Sequence, residues 1–214
     1  QHKFVIIPNG VAHFIPKDKN EALAKNAKLM FYGLPILASP VLSFPLKSEK
    51  RSGFLPPTFF LDNLGGLEMS LPYYVNLAPN RDYTITTTPM TQRGVLFSNE
   101  FRYLERKEPQ IPFNGKALFE YMPEDALRNS ERWGLSYQHT GWADEKQPLT
   151  FSFDINRVSD NNYWSDFTSV SSNNQGKLLQ RTLPSSFNLG RGWGTLTAAV
   201  NMTQWQTQQG TDSS

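Results

Sequence analysis

In the run Leu149-Thr150-Phe151-Ser152-Phe153-Asp154-Ile155-Asn156, every odd position is large and apolar and every even position is polar. A period of two sorts the rings onto one face of a β-strand and Ser152, Asp154 and Asn156 onto the other, a separation that a helix does not produce. The same alternation sets Val95, Phe97, Phe101 and Tyr103 against Ser98, Glu100 and Arg102, and Ala117, Phe119 and Tyr121 against Lys116 and Glu120. It returns with Trp133, Leu135 and Tyr137 against Ser136 and Gln138, and with Leu196, Ala198, Val200 and Met202 against Thr195, Thr197, Asn201 and Thr203. The chain is therefore expected to be all-β, with antiparallel strands that share one apolar face.

Turn chemistry punctuates these strands. Clusters at Ala78-Pro79-Asn80-Arg81-Asp82, Thr91-Gln92-Arg93-Gly94, Pro123-Glu124-Asp125, Asp144-Glu145-Lys146, Asp160-Asn161-Asn162, Ser171-Ser172-Asn173-Asn174 and Gly190-Arg191-Gly192 divide the segment from Gly65 to Gln204 into roughly eight strands. Their spacing of about 10 to 20 residues accommodates the strand length a tilted membrane crossing requires. The first sixty residues read differently. Phe4-Val5-Ile6-Ile7 and Leu29-Met30-Phe31-Tyr32 suggest short strands, and Pro35, Pro40, Pro45, Pro56 and Pro57 argue against long ones, because proline donates no ladder hydrogen bond. Asn20 to Lys28 is the one helix-like stretch, equally readable as turn and strand.

Composition narrows the function. The 214 residues include no cysteine, which excludes disulfides, zinc-thiolate sites and a cysteine nucleophile within the chain. The net charge is +2, and the basic residues are scattered, so nucleic acid is not the expected partner. No apolar run is long enough for a spanning helix, which leaves a spanning sheet open. Gln1-His2-Lys3-Phe4 lacks a signal-peptide pattern. His2, His13 and His139 are far apart, and neither a His-Glu-x-x-His stretch nor a Gly-x-Ser-x-Gly elbow occurs, so no enzyme, metal or cofactor is expected. The adjacent carboxylates Glu124-Asp125 and Asp144-Glu145 read as loop residues.

Two architectures satisfy this pattern: a soluble β-sandwich binding module and a membrane β-barrel. Long strands favour the barrel, as do aromatic residues near strand ends: Tyr73-Tyr74, Tyr103, Tyr121, Trp133, Trp142, Trp164, Trp193 and Trp205. The polar face carries Glu68, Glu100, Arg102, Lys116, Glu120 and Asp154, which would line a wet lumen or be solvated.

Several stretches carry a family resemblance. Gly33 to Leu46, Arg51-Ser52-Gly53-Phe54-Leu55-Pro56-Pro57, Leu71 to Asp82, Arg93-Gly94, Glu100 to Leu104, Glu120 to Asp125, Asn156 to Asp160 and Leu183 to Ser186 together resemble the LPS-assembly protein LptD family, also called organic solvent tolerance protein. The resemblance implies the end of a periplasmic β-jellyroll over residues 1–52, leading into the first strands of an outer-membrane β-barrel over 53–214, hence a partial barrel. It further implies lipopolysaccharide as cargo, a plug lipoprotein LptE and a periplasmic bridge protein LptA as partners, and exit through a lateral gate between the first and last barrel strands. Gate-weakening prolines carry over to Pro57 and Pro72, with Pro56 leaving the former uncertain by one position. Phe4, Ile6, Phe14, Leu29 and Phe31 would help line the acyl-chain groove, or serve as plain core. Arg102, Lys116 and Arg157 are candidates for phosphate contacts. The chain departs from the family in having no cysteine and no terminal aromatic after Gly210. An eight-stranded outer-membrane pore or enzyme is the alternative, and it requires the strand near Gly66 to pair with that near Trp205.

Overall fold

The computed structural model describes residues 4–8, 21–31, 34–45, 50–107, 111–143, 149–167 and 182–207. The chain divides into two compact units, Gln1–Arg51 and Ser52–Ser214. In the first, β1 (Phe4–Pro8), β2 (Glu21–Phe31) and β3 (Leu34–Pro45) form an antiparallel sheet in the order β1-β2-β3. Contrary to the expectation of short strands, β2 has 11 residues and β3 has 12. The helix-like stretch from Asn20 is mostly strand. β3 tolerates Pro35, Pro40 and Pro45 because it is an edge of the described sheet, and the register slips between Leu29 and Met30, where Met30 meets Pro35.

The second unit is one antiparallel sheet of ten strands. After β4 (Gly53–Phe54) and β5 (Thr58–Asp62) come eight long strands: β6 (Gly66–Ala78), β7 (Arg81–Met90), β8 (Gly94–Lys107), β9 (Ile111–Asp125), β10 (Ser130–Ala143), β11 (Leu149–Val158), β12 (Thr182–Trp193) and β13 (Leu196–Thr207). Each pairs with its sequence neighbour, so the sheet is a simple meander. β4 and β5 both pair with β6, and β13 pairs with β12. Gly66 therefore has β5, not the strand near Trp205, across from it. The closed eight-stranded arrangement does not form among the described residues.

Alternation holds through the meander. Odd positions of β8, β10 and β11 share the apolar face and even positions the polar face, as cross-strand pairs such as Phe101↔Ala117, Tyr137↔Ile155, Arg102↔Lys116 and Gln138↔Asp154 require. Among the described residues of this unit, no second sheet covers the apolar face. Leu67, Phe97, Phe119, Trp133, Val200 and Met202 on it are exposed, which a soluble sandwich would bury.

For brevity, the edge of the sheet that carries the turns at 63–65, 91–93 and 126–129 is called rim A, and the opposite edge rim B. Near rim A the polar face carries something the alternation does not announce, a packed core. Met90, Leu96, Met122, Val158 and Leu183 are buried there against Tyr163, Trp164 and Phe167. The three rings come from the β11–β12 connection, which forms one turn of helix, α1 (Tyr163–Asp166), and lies on the sheet. Gly134 makes this approach workable, because a Cβ there would stand 2.8 Å from the Tyr163 ring. Trp164 is thus a core residue, not part of an interfacial aromatic belt.

Leu96 is fully buried in this core, whereas Leu61 is 85% exposed. Leu96→Ala is expected to lower stability by about 2–5 kcal/mol, and Leu61→Ala to stay within roughly 0.5 kcal/mol, in urea unfolding of the micelle-bound protein.

Candidate functional site

The polar face is organised as rows that run across the strands. Register sets Asp82 opposite Arg102, Arg102 opposite Lys116, Lys116 opposite Gln138, Gln138 opposite Asp154, and Asp154 opposite Ser186. Arg102 Nε donates to Asp82 Oδ1 at 2.6 Å, Lys116 Nζ lies 2.9 Å from Glu100 Oε2, and the Tyr74 hydroxyl donates to Asp82 at 3.4 Å. Glu100, Arg102, Lys116 and Asp154 therefore fall within neighbouring rows of one hydrophilic floor. Glu120 is separated from them. It is buried toward rim A, where it accepts hydrogen bonds from Tyr163 at 3.1 Å and Ser98 at 3.2 Å.

Arg157 corrects a sequence reading. Its odd position puts it opposite Leu135 on the apolar face, where it donates to Gln204, so it is not on the floor with Arg102 and Lys116. Tyr74 and Trp142 point the other way, sharing the polar face with Thr84 and Thr150.

The largest feature absent from the sequence reading is a buried lattice of arginines and aspartates at rim A. Arg93, in the β7–β8 turn, donates to Asp125 through Nη2 at 2.5 Å and to Asp166 at 3.0 Å. Arg132 of β10 donates to Asp125 at 3.0 Å and Asp166 at 2.6 Å, and grips Asp160 with Nε and Nη2 at 2.8 and 2.7 Å. Arg128 adds a two-point contact to Asp166 at 3.0 and 3.2 Å. Both the Arg93 and the Arg132 guanidinium lie over the Phe167 ring, at 4.5 and 4.8 Å. Asp125 is thus no loop residue: it ends β9 and is fully buried. Three arginines face three aspartates, so the cluster is formally neutral, the condition under which charges persist out of water. The signal that marks it in sequence is aromatic density between turn residues, with Tyr163, Trp164 and Phe167 within five positions.

Burial acts to raise the Asp166 carboxyl, but hydrogen bonds from Arg128, Arg132 and Arg93 outweigh it and hold the group below the ordinary carboxylate range. Burial, reinforced by Glu120, pushes the Tyr163 hydroxyl far up, so it remains a donor.

The apolar face has its own geometry. Its rim A boundary steps from Glu131 in β10 to Arg157 in β11, level with Leu135, and to Gln204 in β13, level with Tyr137. Its rim B boundary steps from Arg81 in β7, level with His139, to Glu105 in β8, level with Gly141, and to Arg191 in β12, level with Ala143. Both edges climb in the same direction, rim A by six residues over three strands and rim B by four residues over five, or about two and about one residue per strand. At about 3.3 Å per residue and 4.8 Å per strand, these are slopes of roughly 55° and 30°. Inside the band, His139 stacks with Phe151 and Tyr137, and its Nδ1 contacts the Tyr103 hydroxyl, which also meets Tyr137 at 2.9 Å. The Tyr103 ring lies across Gly115, the one residue without a Cβ to obstruct it.

The predicted gate prolines meet at one point. Phe54 pairs with Tyr73 and Thr58 with Ser70, so Leu55, Pro56 and Pro57 oppose Leu71 and Pro72, a bulge of one residue. Leu55 N–H donates to the Pro72 carbonyl at 2.9 Å, and the return bond is impossible because Pro72 has no N–H. Pro57 is buried in this interruption. In the first unit, register sets Phe4 opposite Phe31 and Ile6 opposite Leu29, which places these four positions on one face; Phe14, His2 and His13 lie outside the described residues.

A family model described as LptD protein matches residues 22–214. The chain belongs to the LptD protein family. Among its curated relatives, the LPS-assembly protein LptD of Albidiferax ferrireducens is 43% identical over 202 residues, covering 91% of this chain and 24% of that protein. The LPS-assembly protein LptD of Acidovorax sp. is 42% identical, over 87% of this chain and 23% of its own length, and that of Cupriavidus necator 38%, over 90% and 22%. The chain thus spans about a quarter of the length of these relatives.

Two outcomes test the lattice. Arg132→Ala leaves three aspartates to two arginines in a largely buried cluster and is expected to cost about 3–5 kcal/mol in urea unfolding. The Asp166 contribution is present above the unfolded carboxylate pKa and is lost as pH falls through the depressed folded value. Trp164 fluorescence, which reports loop seating, should therefore stay constant from neutrality down to about pH 5 and change only in stronger acid.

Proposed function

We propose that this LptD-family chain forms part of an apparatus that moves lipopolysaccharide into the outer leaflet of a Gram-negative outer membrane, without catalysis of its own. In this reading, residues 1–52 are the last strands of a periplasmic β-jellyroll, and residues 53–214 are the first strands of the barrel wall.

The observation that carries the reading is the slanted apolar band. A band that climbs across in-register strands is level in a membrane when the strands tilt by its slope, and the two boundaries, at roughly 30° and 55°, lie on either side of the tilt of about 35–45° found in transmembrane β-barrels. The wall then presents Phe119, Tyr137 and Phe153 to lipid and the Asp82–Ser186 row to a wet interior. Rim B is periplasmic: its turns at 79–80, 108–110, 144–148 and 194–195 are short, the connection at 159–181 is on rim A, and the first strand enters from rim B.

The proline bulge supports a gate on the first strand. β4 is held to β6 over two residues, β5 over five, and the segment between them is weakened by Pro56, Pro57 and Pro72. Lipopolysaccharide, received from the bridge protein LptA, would pass acyl chains along the face carrying Phe4, Ile6, Leu29 and Phe31. The plug lipoprotein LptE would occupy the interior that the polar face borders.

The test is a photoreactive residue at Phe31 or Pro57 in the full-length protein, expressed in lipopolysaccharide-producing cells. Adducts with lipopolysaccharide at both positions are the expected result. Membrane-assembled protein with no adduct at either would sink the reading.

A further inference from the structure

Within the apolar band, one group of side chains is out of keeping with a hydrocarbon neighbour. Tyr137 and Tyr103 share a hydrogen bond through their hydroxyls, and the Tyr103 hydroxyl meets His139 Nδ1. With the imidazole neutral, the three groups carry three polar hydrogens, and the two bonds between them use two. Whichever way this chain of bonds is oriented, one donor is left over. Its immediate surroundings are rings, with Phe113, Phe151 and Phe153 around His139. Acyl chains accept no hydrogen bond, and an unmet donor in hydrocarbon is costly, so the cluster calls for an acceptor from outside the chain.

Depth identifies that acceptor. Gly141 is level with Glu105 on the rim B boundary, and His139 lies two residues inside it, roughly 7 Å along the strand. The polar layer of one leaflet is about 5–8 Å deep, so this is the step from the phosphates to the ester carbonyls. A cation marks the outer end of the step. Arg81 is opposite Tyr103 on the same face, and it engages Glu105, on its rim B side, through Nε, one of the five donors of its fork. Arg191, over the Trp193 ring at 5.2 Å, adds a second cation further along this boundary.

We propose that Arg81, Tyr103, Tyr137 and His139 form a binding site for one glycerophospholipid on the outer wall, in the leaflet on the rim B side. Its phosphate meets Arg81, and an ester carbonyl accepts the surplus donor of the Tyr137–Tyr103–His139 chain. Gly115 permits the arrangement, because a Cβ there would stand 2.3 Å from the Tyr103 hydroxyl. The inference rests on the reading of this face as lipid-facing. It adds to that reading a resident lipid, distinct from the cargo.

The experiment uses the full-length protein in bilayers of diester phosphatidylethanolamine and phosphatidylglycerol, with a photoreactive residue replacing Phe113, whose ring centre is 6.3 Å from that of Tyr103. Irradiation in the bilayer reports whether this face meets lipid; irradiation after transfer into detergent micelles reports retained lipid. Phospholipid adducts are expected in both. Tyr103→Phe combined with His139→Phe keeps the rings and removes the hydrogen-bonding groups. It should lower the retained adduct roughly two- to tenfold, one hydrogen bond's worth, while heat-modifiable gel mobility shows that the barrel is assembled. Arg81→Gln should lower it likewise. Diether phospholipids, which keep the phosphate and lack the ester carbonyl, should do the same with the Tyr103 and His139 side chains intact, so the test holds even where the double variant fails to assemble. Retained adduct indifferent to the ester overturns the carbonyl contact, adduct indifferent to Arg81→Gln overturns the phosphate contact, and bilayer adduct with none retained overturns the site. Absence of adduct in the bilayer itself would count against the lipid-facing wall, and the site would fall with it.

Discussion

Everything in the larger unit depends on an unbroken antiparallel register. Each backbone N–H and C=O within the meander needs a partner, and the neighbouring strand supplies it, so a slip of one residue in any strand would turn its whole set of side chains to the wrong face. That constraint turns a one-dimensional alternation into two-dimensional surfaces. Arg102, Lys116, Gln138 and Asp154 are distant in the chain, yet they occupy one row because four successive strands keep count. The tolerated interruptions are local: one residue near Ser130, one near Asn76, and the proline bulge at the first strand.

Strand existence, the shared apolar face and the polar row were legible because each is written in a local period. Phe151, Phe153 and Ile155 announce their face without help from any other segment. The slope of the apolar band was not legible in the same way. It needs the register between strands, which turn lengths leave open. Arg157 is a different case: it continues the odd set of Phe151, Phe153 and Ile155, and only its charge suggests the polar face. The prolines of β3 misled for a related reason: whether a proline interrupts a ladder depends on whether its strand lies at an edge, and that is a property of the sheet.

The arginine–aspartate lattice was illegible for a deeper reason. Arg93, Asp125, Arg132 and Asp166 come from two turns or loops and two strands, and no spacing rule connects them. Each has an ordinary reading where it stands, a turn arginine or a strand-end carboxylate. Their shared meaning arises from a loop that returns to the sheet, which its rings make favourable and Gly134 makes sterically feasible. The family resemblance covered some of these residues, as Arg93-Gly94 and Glu124-Asp125, without indicating why those residue types belong there.

The turns at rim A are tied to one another. Thr91 and Gln92 donate to Leu67 and Gly65, and Ala126 donates to Arg93, so neighbouring hairpin tips are sewn together by backbone bonds in addition to the lattice. A margin hooped in this way keeps its circumference under an outward load, because spreading any two strands there must break bonds between tips as well as between strands. In such a wall, shape memory belongs to the side on which the loop is seated.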